Sequence, residues 1–381
     1  MPTDFTLSKF MHLHIISFDI PYPANYGGII DVYYKLVWLH KLGIKIHLHC
    51  FEYGRKHAKE LEAVCEKVNY YKRETGIMSH LSLLPYTVKS RVSKKLRKKL
   101  LKDDAPILCE VLNTCSILSD SVFKNRFKIY RHSNIEHHYY QGLAKAEKNI
   151  FRKLFLLLEA KKLNRFEKII SHADLILAVN QNDTAYFKKE YPKVRTEYLP
   201  SFHSHTKVNS KEGSGNFILF HGNLSIAENS DAAGWLIQHV FSKITKHVVI
   251  AGLNPGDSLH TLVEKYDHID LIPNPTEAKM TELILEAHQH VLYTKQATGL
   301  KLKLLNVLFS GRHIICNEKM IEGSGVVPNE SIQIGHTAKD LIDLIQKTDT
   351  IAFDKNLFQK REIICQPFNN QINAKTLAGY L

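Results

Sequence analysis

Short apolar runs alternate with longer amphipathic stretches along almost the whole chain. "HLHIISF" (12–18) is followed by the loop "DIPYPANYGG", a helical pattern from about Ile30 to Leu42 closed by Gly43, and the alternating run "IKIHLHCF". Strand, glycine loop, helix, strand is how a doubly wound α/β domain opens. Further along, "RFKIYRHSN" reads as strand then loop, "IFRKLFLLLEAKKLNRFEKIISHA" as a long helix and "DLILAVN" as a short buried strand. The pattern restarts after the polar, glycine-containing connection "HSHTKVNSKEGSG" (203–215). "NFILFHG", a helix opening at an Asn or Ser cap in "NSDAAGWLIQHVFSKI", "HVVIAGL", "IDLIP", "HVLYT" and "RHIICN" then follow in α/β alternation. The expected organisation is two doubly wound domains, 1–203 and 204–354, with a helical tail from about 355 to 381 returning to the first.

One helix in the second half carries candidate chemistry. In "ATGLKLKLLNVLFSG" (297–311), Leu300, Leu304, Leu305 and Leu308 recur at helical spacing, and Gly311 stands at the stop. Lys301 and Lys303 fall in the opening turn, where free N–H groups and the dipole disfavour cations unless an anion is bound. A phosphate would supply that anion. The plainer alternative has one or both lysines pointing to solvent, since residues at i and i+2 do not share a helix face.

Composition narrows the class. The chain has 381 residues, 44 % of them hydrophobic, enough for two cores. No run has the length and apolarity of a membrane span, and the start lacks the order of a signal peptide, so a cytoplasmic protein is expected. Six scattered cysteines with no CxxC pair point to reduced core residues and away from a zinc or disulfide framework. The net charge of +13 is uneven: residues 1–200 hold 34 Lys+Arg against 20 Asp+Glu, residues 201–381 hold 17 against 18. The densest stretch is "VKSRVSKKLRKKLLK" (88–102), in which Val88, Val92, Leu96 and Leu100 form an i+4 stripe among eight basic residues. It is predicted to be one basic amphipathic helix. Either it packs its stripe on the core with solvated charges, or Lys94, Lys95, Lys98 and Lys99 contact an anionic membrane surface. Nucleic acid is a weaker third reading, because aromatics are not interleaved and no reader motif follows.

The loop "PYPANYGG", the mid-chain "FHGNLSIAEN", "TGLKLKLLNVLFSG" and "HIICNEKMIEGSG", in this order, resemble glycosyltransferases of the GT-B fold, family 4 type. The resemblance implies two Rossmann-like domains facing each other across a cleft. It implies transfer of a sugar from a nucleotide diphosphate donor to an acceptor hydroxyl with retention, in building cell-surface polysaccharide or glycolipid. It further implies a glycan or lipid-linked acceptor, no metal and no cofactor beyond the donor, and a place in the cytoplasm or at the inner membrane face. Lys301 and Lys303 would neutralise the leaving diphosphate. Gly222, Asn223, Gly299 and Leu300 would line the donor site, with Ile272 and Pro273 near the base. The two glutamates that family 4 enzymes commonly carry eight residues apart align with Thr298 and Asn306, so weaker hydrogen-bonding groups replace carboxylates toward sugar and ribose. In the first domain His132, from "YRHSNIEHHYY", would orient the acceptor hydroxyl or bind the donor sugar as a proton-sharing group, and Asn25, Tyr26, Gly27 and Gly28 would form an acceptor or phosphate loop whose glycines leave room for a backbone approach, unless they only make a tight turn. The alternatives are a non-catalytic GT-B-like binding protein, which the missing carboxylates permit, and the nucleic-acid-binding reading above.

Overall fold

The structure is a computed structural model and describes residues 11–295 and 299–381. Contacts divide the described residues into two compact units, one of residues 11–204, 299–300 and 370–381 and one of residues 205–295 and 301–369.

The first unit holds strands β1 (His12–Ser17), β2 (Lys45–Glu52), β3 (Lys67–Lys72), β4 (Ile107–Glu110), β5 (Lys128–His132), β6 (Leu175–Ala178) and β7 (Arg195–Tyr198). They pair in the order β3-β2-β1-β4-β5-β6-β7, all parallel. A parallel sheet is covered on both faces, so its central strands read as near-continuous apolar runs. "LILA" in β6 is buried at every position. One face packs Ile15, Ile46, Leu48 and Leu177 against the helix Gly27–Lys41 and the C-terminal helix Asn370–Ala378. The other packs Ile16, Cys109, Tyr130 and Ile176 with Leu163 and Phe187 from the helices Ile150–Glu167 and Gln181–Glu190.

The second unit holds β8 (Ile218–Asn223), β9 (Val248–Leu253), β10 (Ile269–Pro273), β11 (Gln289–Leu292), β12 (His313–Cys316) and β13 (Ile332–Ile334), again all parallel, in the order β10-β9-β8-β11-β12-β13. The helix Ala227–His239 buries Ala233, Leu236 and Ile237 against Phe220, Ile250 and Val291. All six cysteines are free and buried.

Three local readings are corrected by packing. The segment 88–102 is not one helix: Tyr86–Lys89 and Lys94–Leu100 are separate short helices, because the Ser93 side chain caps the second by accepting from Leu96 N. Val88, Leu96 and Leu100 are buried as the stripe requires, but the break turns Val92 outward. The helix expected to open at an Asn or Ser cap begins earlier, at Ala227, which places Glu228 and Asn229 in its first turn. The chain returns to the first unit at Asn370 and not near 355, since Arg361 of the helix Lys355–Cys365 donates to the carbonyls of Val307, Gly311 and Arg312 within the second unit.

Candidate functional site

In the second sheet the strand order turns at β8, which lies between β9 and β11. Connections leave such a turning point toward opposite faces and open a crevice at the carboxyl ends of the strands. Gly222 and Asn223 end β8, Thr294 follows β11, and the first turn of the helix Ala227–His239 supplies Glu228 and Asn229. Lys301 is the N-cap of the helix Leu302–Ser310, and Lys303 is its second residue; no described side chain caps this end. Lys303 Nζ donates to Asn229 Oδ1 at 3.0 Å, and Asn229 Nδ2 donates to the Asn223 carbonyl at 2.9 Å. Lys301 Nζ lies 3.8 Å from Glu228 Oε1, which also accepts from the Thr294 hydroxyl.

Two ammonium groups thus stand at the positive end of a helix, Lys301 near the Glu228 carboxylate and Lys303 on the Asn229 amide oxygen. Burial lowers the Lys303 pKa to about 8, with the Lys301 charge acting in the same direction. Burial also lowers Lys301, opposed by Glu228. A bound anion would reverse that penalty, which is the electrostatic condition of a phosphate site. Asn306 is held differently from the lysines: its Oδ1 lies 3.0 Å from His205 Nε2, whose ring stacks on Phe309. Ile272 and Pro273 lie on the edge strand β10, separated from β8 by β9. Thr298 lies outside the described residues.

Gly299 and Leu300 cluster with the first unit. Gly299 has φ +60°, and a Cβ there would stand 2.7 Å from Asn134 Oδ1 and 2.8 Å from the Ser133 carbonyl. What demands glycine at 299 is the approach of this backbone to Ser133 and Asn134.

The first sheet turns at β1, between β2 and β4, and the loop beyond β1 carries the other predicted group. Tyr26 donates to Asp19 Oδ2 at 3.3 Å, while Arg55 donates to Asn25 Oδ1 at 3.1 Å and lies over the Tyr26 ring. Gly27 opens the following helix, and a Cβ on Gly28 would meet the Phe18 ring at 2.9 Å. His132 ends β5 with no exposed surface. Its Nε2 lies 3.1 Å from Asp183 Oδ2 and its Nδ1 3.3 Å from the Tyr130 hydroxyl, with Phe187 edge-on to the ring. Both nitrogens are engaged, so the imidazole is fixed in orientation.

Glu136 lies in the stretch "YRHSNIEHHYY" that the sequence points to, whereas Arg91 and Asp19 are not marked by any motif. Arg91 donates from Nε to the Phe18 carbonyl at 2.9 Å, and burial lowers its pKa to about 10. Burial raises the Glu136 carboxyl to about 7, with Arg91 opposing the rise and Glu167 adding to it. Burial likewise raises Asp19. A carboxyl that titrates near neutrality beside a guanidinium is suited to proton exchange. Asp19 was findable as the residue just past the first strand; Arg91 was hidden among eight basic residues of one segment.

Elsewhere in the first unit, ligand atoms of His14, His47 and Asp103 lie within 4.8 Å of one another. Asp103 Oδ1 already meets His14 Nε2 at 2.8 Å, Ala105 N at 3.1 Å and Arg126 Nη2 at 3.4 Å. His14 continues to His49, and His49 to the Tyr71 hydroxyl, each at 2.8 Å. His14, His49 and Tyr71 thus form a hydrogen-bonded ladder across β1, β2 and β3, with both ring nitrogens of His14 engaged.

Buried histidines give the second unit a pH limit. Burial, then the Lys303 charge, lowers His221 to about 3, and burial lowers His313 to about 4. Such groups take up protons in the unfolded chain first, so stability is complete above the unfolded value of about 6.5 and is lost as pH falls below it. From pH 7 to pH 5 each is expected to remove about 2 kcal/mol. Urea midpoints at the two pH values measure this, and His221→Asn should lose its share of the difference.

The chain has the GT-B fold, two α/β units each built on a parallel sheet. Similar solved structures include Staphylococcus aureus TarM in complex with fondaparinux, α-GlcNAc-glycerol and UDP (TM-score 0.65, 9 % identity, 97 % of this chain and 99 % of that one). The pneumococcal O-GlcNAc transferase GtfA with UDP and GlcNAc gives 0.64 at 8 % identity over 97 % and 98 %, and Anabaena HepE with UDP and glucose 0.59 at 10 % over 96 % and 95 %. No protein-family model matches the chain. In sequence it is 27 % identical over 376 residues to an uncharacterized 44.6 kDa protein in the cps region of Klebsiella pneumoniae, covering 93 % of this chain and 94 % of the relative.

Proposed function

We propose that this protein is a glycosyltransferase that moves a sugar from a nucleoside diphosphate donor to an acceptor hydroxyl, in the assembly of a surface polysaccharide or glycolipid. The observation that carries the reading is the desolvated pair Lys301 and Lys303 at a helix N-terminus, at the carboxyl edge of the second sheet. As the glycosidic C–O bond breaks, charge grows on the β-phosphate oxygen, and fixed cations there stabilise the transition state more than the ground state. UDP in the similar structures and the cps-region relative support the donor class and the pathway type.

The finer assignments belong to the same proposal. Transfer proceeds with retention, and the two lysines supply the positive charge that a metal ion would otherwise bring. Glu228 provides a carboxylate close to the lysines where the resemblance leaves Thr298 and Asn306 without one. Asn306 offers its free amide nitrogen to the ribose. On the first unit, Glu136 and Asp19 handle the acceptor proton, and His132 holds the strand end that carries the neighbouring loop. The enzyme works in the cytoplasm at the inner face of the membrane, on a glycan or lipid-linked acceptor.

The test is a panel of nucleotide sugars scored by thermal shift and by donor hydrolysis. One donor is expected to raise the melting temperature and to be hydrolysed slowly in the absence of acceptor. A shift without turnover on any acceptor would make the protein a nucleotide-sugar-binding module instead, and no shift with any donor would remove the reading.

A further inference from the structure

The helix Ile150–Glu167, capped by Asn149, has two unlike halves. Its C-terminal half is ordinary, with Glu159, Ala160, Leu163 and Glu167 buried. In its N-terminal half Ile150, Phe151, Leu154, Phe155 and Leu158 are between 40 and 79 % exposed. A second segment adds Ile77, Met78, Leu81 and Leu83, 74 to 94 % exposed. The two are joined: the His80 ring lies 6.0 Å from that of Phe155, Lys162 Nζ donates to the His80 carbonyl at 3.4 Å, and Tyr86 N donates to Glu159 Oε2 at 2.7 Å. Single exposed apolar side chains are common, but a continuous apolar face of this size on one unit requires a cover.

Charge selects the cover. Lys145, Lys148, Arg152, Lys161 and Arg165 on the helix and the stretch before it are exposed, whereas Glu159 and Glu167 are buried; Glu74 and the half-buried Glu147 are the acids these segments leave toward solvent. A second copy of the chain would bring two such cationic rims together, which like-charge repulsion opposes. An anionic surface with an apolar interior satisfies both parts of the face. No helix among the described residues is long and apolar enough to cross a membrane, so the contact is with the interface. The exposed lysines of Lys94–Leu100 offer charge alone, because Leu96 and Leu100 are buried.

We infer that this face docks on an anionic lipid bilayer, with Phe151, Leu154, Leu158 and Leu83 entering the acyl-chain boundary and the surrounding cations meeting lipid headgroups. The inference is independent of the donor-site reading, and its readout is partition, not turnover.

The experiment is sedimentation of the full chain with vesicles of phosphatidylcholine alone and of phosphatidylcholine mixed with phosphatidylglycerol. Wild-type protein is expected on the mixed vesicles, with partition falling as salt rises. The variant Phe151→Ser, Leu154→Ser, Leu158→Ser should lose roughly tenfold or more in partition while its melting temperature is kept, because the three side chains make exposed surface in the free protein. Arg152→Gln, Lys161→Gln, Arg165→Gln should flatten the salt dependence. In a third variant, Phe151→Trp, the introduced indole should shift its emission to the blue on mixed vesicles. Equal partition of the triple-serine variant, or no partition of the wild type, overturns the proposal. A dimer by mass measurement that the triple-serine variant abolishes, without vesicle binding, assigns the face to a second copy and overturns it equally.

Discussion

Replacing Lys301 and Lys303 together with alanine is expected to lower sugar transfer by roughly two to four orders of magnitude, at about 1.5 to 3 kcal/mol for each charged hydrogen bond lost. Binding of the uncharged nucleoside should change far less, because the lysines act where charge develops. The two lysines and Glu228 interact, so the single variants will not sum to the double. A pH signature separates this role from a structural one. Burial and the Lys301 charge lower the Lys303 pKa to about 8, so donor binding above that pH is expected to take up a proton. Calorimetric enthalpies in buffers of different ionisation heat should reveal the uptake in the wild type and its loss in Lys303→Gln. Wild-type turnover in the double variant would remove the lysines from the reaction.

Arg131→Ala should cost about 3 to 5 kcal/mol of stability, a large part of the roughly 5 to 15 kcal/mol that holds a typical domain folded. Arg131 is buried at the centre of the first unit. It meets Asp31 through Nε at 3.2 Å and Nη2 at 3.1 Å, and it also donates to the carbonyls of Leu199 and Pro200. Asp31 accepts in addition from Phe202 N at 2.7 Å and from Lys35, whose Nζ lies 2.6 Å from Glu110. Burial raises the Asp31 carboxyl, but Arg131 and Lys35 outweigh it and hold it at about 2. Its contribution is therefore complete above the unfolded value near 4 and is lost as pH falls from there toward about 2. The network ties the helix Gly27–Lys41 to the segment leaving β7, so its loss should open the unit at that seam. Urea unfolding of Arg131→Ala measures the effect; a change under about 1 kcal/mol would mean that the buried ions only offset their own desolvation.

What the order of residues determined by itself was the alternation. A run such as "LILA" has no polar side chain to give to water, so it lies inside a parallel sheet wherever its neighbours are. The lysine-bearing helix was legible for the same reason: its apolar spacing, its cations and its closing glycine all lie within one short stretch. The break at Ser93 was not, since an i+4 stripe runs unchanged across a cap, and only packing showed that Val92 had left it. The partners of the lysines were equally hidden. Asn229 lies 74 residues before Lys303 and Glu228 lies 73 before Lys301, just as Asp31 lies 100 before its own partner Arg131. Local periodicity reports which side of an element is apolar, whereas charge pairing depends on which strand ends the sheet order sets side by side. That order was decided by the tertiary structure, through burial of whole sheet faces under helices distant in sequence.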